Sequence, residues 1–179
     1  MNQLIVAFTG ISGVGKTSFL RQLAKKIDFQ HITGGTLIAT ARGAASDSRD
    51  SIRYADLDEN QRLLIKGFAL TRDSNADLIV MDGHVVIDNG EELTTISSEV
   101  FKALGVSVMV HLEAEPKRIA ANREGDTLRH RPAYPFHILE RHQALSRAHA
   151  QAIAALLCAP FYIVTHNDTD RLAQLLISR

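Results

Sequence analysis

Apolar positions along the chain alternate between short continuous runs and stretches spaced three or four residues apart. The first kind predicts buried strands and the second amphipathic helices. Runs at 4–8, 29–33, 77–82, 106–112 and 161–165 read as five strands. Helical spacing follows at 19–27, at 36–41, at 57–70 and at 98–104, the last ended by Gly105. Pro116 suits the first turn of a helix running to about 123, because proline's missing N–H has no partner there anyway. A long helix is predicted over 136–157. A final one runs through Ile177, with Asp168 or Thr169 as its cap. Residues 85–87 and 93–96, around Asn89-Gly90, predict a small hairpin with a two-residue turn. Residues 44–50 and 124–135 lack periodicity and read as loops.

Five apolar strands alternating with helices predict an α/β fold: a parallel sheet of five strands in three layers, with helices on both faces. Ligands of such sheets sit at the carboxyl ends of the strands. These ends carry residues 10–17, Gly34-Gly35, Asp82-Gly83-His84, the segment after Leu112, and His166-Asn167-Asp168. The chemistry is therefore expected to converge on one cleft.

Between the first strand and first helix lies Gly10-Ile11-Ser12-Gly13-Val14-Gly15-Lys16-Thr17, followed by Ser18. It satisfies G-x-x-x-x-G-K-[ST] in full, in the strand–loop–helix setting that gives the pattern its meaning. Glycines let the backbone wrap so that successive N–H groups face phosphate oxygens, and the helix N-terminus adds its positive dipole end. Lys16 is expected to reach the β- and γ-phosphates, and the Thr17 hydroxyl to ligate Mg²⁺. Asp82 closes an apolar strand and is expected to orient the same ion.

Composition narrows the reading. With 179 residues, 45% apolar and 22% charged, the chain has the profile of one globular domain. Twenty basic and twenty acidic residues cancel, so no global field favours nucleic acid or an anionic membrane. No run approaches the length of a membrane span and no leader is evident, so a cytoplasmic location is expected. The single cysteine, Cys158, lies in an apolar stretch and is expected to be buried. A guanine-reading Asn-Lys-x-Asp tetrad is missing: the nearest string, Asn167-Asp168-Thr169-Asp170, has no lysine. Histidines 130, 137, 142 and 149 show no metal-binding spacing. Residues 117–147 hold six arginines, of which Arg129 and Arg131 flank His130 in a loop. Guanidinium groups on such a loop suit the charge of a phosphoryl group in transfer.

Over essentially its whole length the chain resembles the P-loop nucleoside and nucleotide kinases, and within them the archaeal-type adenylate kinases. The likeness rests on residues 10–17, on Ser48-Arg49-Asp50-Ser51-Ile52-Arg53, and on Asp82-Gly83-His84 where that family has Asp-Thr-His. It extends to Asp126-Thr127-Leu128-Arg129-His130-Arg131 and Glu140-Arg141-His142-Gln143. The resemblance implies one kinase domain over 1–179, with an acceptor-binding segment at about 34–73 and a lid at about 124–135. It implies transfer of the γ-phosphoryl of Mg-ATP to a small-molecule phosphate acceptor, a nucleoside monophosphate. Lys16, Asp82, Arg129 and Arg131 would be catalytic, and Thr17 and Asp82 would hold the metal. ATP would lie on Gly10, Ser12, Gly13, Val14, Gly15, Lys16, Thr17, Ser18 and Asn167, with His166 also beside the adenine. Gly34, Thr36, Leu37, Arg49, Arg53 and His84 would face the acceptor, the two arginines clamping its phosphate.

The sequence departs from that family at residues 85–93, which lack its Gly- and Pro-containing segment. Two other activities stay open from sequence: a kinase of small hydroxylated metabolites, with Asp82 or Asp50 as base, and a slow ATPase acting with a protein partner. A homo-oligomer is left open as well.

Overall fold

The computed structural model describes residues 3–43, 57–126 and 132–179. In chain order the elements are β1 (Leu4–Thr9), α1 (Lys16–Leu23), β2 (Gln30–Thr33), α2 (Gly34–Arg42), α3 (Leu57–Thr71) and β3 (Leu78–Asp82). Then come β4 (Val86–Asp88), β5 (Leu93–Thr95), α4 (Ser98–Ala103), β6 (Val108–Leu112), α5 (Pro116–Glu124), α6 (Phe136–Leu156), β7 (Phe161–Val164) and α7 (Thr169–Ile177).

Five strands form one parallel sheet in the order β2-β3-β1-β6-β7. Both faces of each central strand are apolar, as a sheet covered on two sides requires. Val6, Phe8, Val108, Val110 and Leu112 turn to one face, where α1 and α7 add Phe19, Leu20, Leu23, Leu172 and Leu176. Ile5, Ala7, Ile79 and Met109 turn to the other, against Leu37, Phe68, Val100, Phe101 and Ile153. The register pairs Phe8 and Thr33 each with Asp82, and Thr9 with His111. Thr33, Asp82, the residue before Gly10 and the end of β6 thus arrive at one edge.

The expected α/β architecture is present, with four local differences. The β4–β5 pair closes with Asp88 opposite Leu93, so its turn has four residues rather than two. Asn89 Oδ1 accepts from the N–H groups of Glu91 and Glu92, an Asx arrangement that stabilises the longer turn. Helix α2 begins earlier than expected because the Thr33 side chain caps it, accepting from Thr36 N–H at 3.1 Å. Asp168 stands at the start of α7, but its carboxylate accepts from the N–H and hydroxyl of Thr165 and does not cap the helix. Cys158 is exposed, not buried. It takes the left-handed position (φ 51°) after α6, and Cys158 N–H and Ala159 N–H bond back to Ala155 and Ala154, a Schellman ending.

Helices α2 and α3 pack closely on each other. Gly67 makes this approach possible, since a Cβ there would run into the backbone of Leu37. Among the described residues no helix is long and apolar enough to cross a membrane.

Candidate active site

Residues 10–17 form the expected loop between β1 and α1, and its glycines are there for two separate reasons. Gly10, Gly13 and Gly15 all have positive φ (148°, 88° and 103°). Space is also missing: a Cβ on Gly10 would stand 2.8 Å from the Leu112 carbonyl, and one on Gly13 2.7 Å from Arg123 Cγ. Only glycine meets both conditions. Val14 turns its side chain into the core, so it can serve the loop only through its backbone. Lys16 is 8% exposed and its Nζ donates to Gly10 O at 3.0 Å, lying 3.9 Å from Asp82 Oδ1.

His84 also donates to Gly10 O, through Nδ1 at 2.9 Å, so the proton sits on that nitrogen. Burial pushes the Asp82 carboxyl up. The imidazole of His31, 3.8 Å from Oδ2, and the charges of Lys16 and His84 outweigh that and hold it below its usual value. A carboxylate kept ionised beside an ammonium and a helix N-terminus is a hard oxygen donor. With the Thr17 hydroxyl on the same cavity wall, the pair fits a Mg²⁺ ion that keeps most of its waters.

Beneath the loop a second pair fixes the end of β1. The Thr9 hydroxyl donates to Val110 O at 2.9 Å and lies 2.9 Å from His111 Nδ1, which donates to it. His111 is fully buried; burial, with the charges of Lys16 and Arg147, pushes its pKa down to about 4, so the ring is neutral.

The loop opens into a cavity of about 650 Å³ that continues past Asp82 and His84. Its far wall is apolar: Ile38 from α2, Leu64 from α3, Ile87 and Leu93 from the hairpin, and Phe101 and Leu104 around α4. Asn60 and Gln61 of α3 add carboxamides. Arg42 Nη2 donates to Asn60 Oδ1, and Gln61 Oε1 accepts from Ser97 N–H, so α2, α3 and α4 share the wall.

The structure brings Ser12, Gly13, Gly15, Lys16, Thr17, Ser18, Gly34, Asp82 and His84 onto this one cavity. Gly10 stands behind it as acceptor for Lys16 and His84. Leu37 is fully buried in the core and its neighbour Ile38 faces the cavity instead. Thr36 serves the start of α2 through Thr33, outside the cavity lining. Asn167 and His166 lie on an exposed turn after β7 and do not line the cavity. Arg49, Arg53, Arg129, Arg131 and the alternative base Asp50 lie outside the described residues.

Sequence reasoning passed over four residues that the fold brings in. His31 meets Asp82 from β2. Asn122 Nδ2 donates to Gly13 O at 2.8 Å and Arg123 Nε to Ser12 O at 2.9 Å, so the end of α5 grips the phosphate loop from outside. Asp88 on the hairpin lies 3.9 Å from Arg123 Nη1. For Arg123 a signal was present. It stands four residues after Ile119, on the face of α5 that is buried, and both side chains are nearly inaccessible.

A family model described as an AAA domain matches residues 9–135. Adenylate kinase from Thermoplasma acidophilum is 27% identical over 89% of this chain and 88% of its own length. Adenylate kinases from Pyrococcus abyssi and Methanothermobacter thermautotrophicus are both 28% identical, over 95% and 92% of this chain and 90% and 91% of theirs. Among solved structures, shikimate kinase from Acinetobacter baumannii in complex with shikimate superposes with a TM-score of 0.61 at 18% identity. That match covers 99% of this chain and 94% of that one and speaks to the fold. With the loop, the sheet order and the model match in agreement, the chain belongs to the AAA domain family and is a P-loop kinase, a phosphotransferase.

Proposed function

We propose that the protein transfers the γ-phosphoryl group of Mg-ATP to a nucleoside monophosphate, in the manner of an adenylate kinase. The observation that carries this reading is the continuous cavity, about 650 Å³ in all, that joins the phosphate loop, past Asp82, to an apolar chamber. The similarity to archaeal adenylate kinases over nine-tenths of the chain supports it.

In this reading the loop N–H groups and Lys16 hold the β- and γ-phosphates of the donor. Thr17 and Asp82 hold Mg²⁺, which neutralises charge on the phosphates when bound. His84 and Lys16 share Gly10 O and thereby fix the start of the loop. The acceptor is a phosphate oxygen, already anionic, so transfer needs no general base; it needs positive charge on both sides of the moving group. Arg49 and Arg53 supply it on the acceptor side and Arg129 and Arg131 from a lid at about 124–135. Residues 34–73 form the acceptor-binding segment within one kinase domain.

The test is ADP formation from Mg-ATP against a panel of nucleoside monophosphates and hydroxylated metabolites. Turnover is expected with a monophosphate, and Arg49→Ala or Arg53→Ala should raise its KM by about tenfold or more. If ADP forms at the same rate with every acceptor, the transferase reading fails in favour of an ATPase.

A further inference from the structure

Asp88 lies at a junction that the transfer mechanism does not use. It ends β4, on the hairpin whose residues Val86, Ile87 and Leu93 wall the acceptor chamber. Its Oδ1 accepts from Tyr134 Oη at 3.0 Å and from Gly90 N–H at 3.0 Å. Its Oδ2 faces Arg123 Nη1 at 3.9 Å and His142 Nδ1 at 4.0 Å. The Arg123 guanidinium lies over the Tyr134 ring, 5.6 Å from its centre, and His142 meets that ring edge-on. The hairpin, the end of α5, the segment leading into α6 and α6 itself therefore close on one carboxylate. The charged pair is shielded, with the Arg123 and Asp88 side chains 6% and 15% exposed.

Arg123 carries this junction to the phosphate loop. Its Nε donates to Ser12 O at 2.9 Å and its stem packs on Gly13. The Ser12 carbonyl and the Gly13 N–H belong to one trans peptide plane and point in opposite directions. Drawing the carbonyl towards Arg123 turns the Gly13 N–H away from that side chain. The direction of one phosphate-binding donor thus depends on where Arg123 is held. Arg123 in turn lies 3.9 Å from a carboxylate on the acceptor wall, and its Nη1 also donates to Pro132 O at 3.4 Å.

We propose that Asp88 is a positioning residue: through Arg123 it sets the phosphate loop, and it makes donor binding sensitive to an acceptor seated against the hairpin. The second half of this rests on the nucleoside monophosphate reading above; the first half does not. Because the linkage is thermodynamic, the donor must tighten the acceptor by the same factor that the acceptor tightens the donor.

The experiment is calorimetric titration of the full-length protein with the magnesium complex of a non-hydrolysable ATP analogue, with and without saturating AMP. Wild type, Asp88→Asn and Tyr134→Phe are compared. Asn keeps the shape and removes the charge; Phe removes one hydrogen bond from an intact Asp88, so it serves should Asp88→Asn fold poorly. Without AMP, Asp88→Asn is expected to weaken the analogue about fivefold, with Tyr134→Phe moving the same way by less. In wild type AMP is expected to tighten the analogue about fivefold or more, and in Asp88→Asn that factor should fall towards one. A purely structural role would lower the melting temperature and leave the factor unchanged, and that result overturns the coupling. Unchanged analogue affinity in both variants overturns the hold on the loop. If AMP does not bind wild type at all, the acceptor reading and the coupling fail together, while analogue affinity alone still decides whether Asp88 positions the loop.

Discussion

The two ends of the cavity are built by different means. At the donor end, consecutive residues do the work with their backbone: Gly10, Gly13 and Gly15 take left-handed conformations that a side chain disfavours, and Gly10 and Gly13 also lack room for a Cβ. Lys16 and Thr17 follow on the first turn of α1. At the acceptor end no segment suffices. Ile38, Leu64, Ile87 and Phe101 come from four elements, and they meet only because α2, α3, α4 and the hairpin pack on one face of the sheet. In the proposed reading the donor end recognises phosphate, a group with one geometry and a fixed charge, so a short contiguous motif can specify it. In the same reading the acceptor end recognises by shape and apolar area, and these belong to an assembled surface.

The largest effect is expected at the donor end. Lys16→Ala should lower kcat/KM by about a thousandfold, the upper range for losing one charge-stabilising donor in a phosphoryl-transfer site. Steady-state ADP formation measures it, and a variant retaining near wild-type turnover would sink the whole donor assignment.

Next in size is the pH dependence of the donor strand. His111 is held neutral with a pKa of about 4, against about 6.5 when unfolded. Between these values the unfolded chain binds a proton that the folded chain does not. Stability should therefore fall as the pH is lowered through this window, by about 1.4 kcal/mol per pH unit, with no contribution above it. Asp82, depressed as well, adds a loss of the same sign only further down, as the pH falls from the ordinary carboxylate range through its lower folded value. Urea unfolding at pH 7.5, 6 and 5 gives the slope; His111→Gln should flatten it, and an identical slope in the variant would remove the assignment.

At the acceptor end, Phe101→Leu should raise the acceptor KM about tenfold and leave the ATP KM within about twofold, as expected for reshaping one apolar wall. A matched rise in both would mean that the two ends are not separable. The smallest effect is expected at Asn167. Its turn is exposed and outside the cavity, so Asn167→Ala should change the ATP KM by less than about twofold. A larger rise would extend the donor site along the turn after β7 to the adenine.

Much of this was legible beforehand because the relevant signals are local. The strand runs and the helix spacing depend on neighbours within a few residues, and the five-stranded sheet follows from them. Two differences arise where local alternatives compete: Asp168 bonds Thr165 instead of capping α7, and Cys158 takes a left-handed position that glycine would fill more easily. A third is tertiary: Leu37 turns to the core while Ile38 faces the cavity.

Glycine spacing, a lysine and a hydroxyl at one strand–helix junction mark the proposed phosphate site from sequence alone, since they leave the backbone few alternatives. Only the tertiary structure decided what surrounds that site. His31, Asp88 and Arg123 are 51, 6 and 41 residues from Asp82, on separate elements, and no periodicity connects them. His31 meets Asp82 because the parallel sheet brings the ends of β2 and β3 to one edge, and Arg123 at the end of α5 meets Asp88 on the hairpin, since shielded charge must find a partner wherever the chain supplies one.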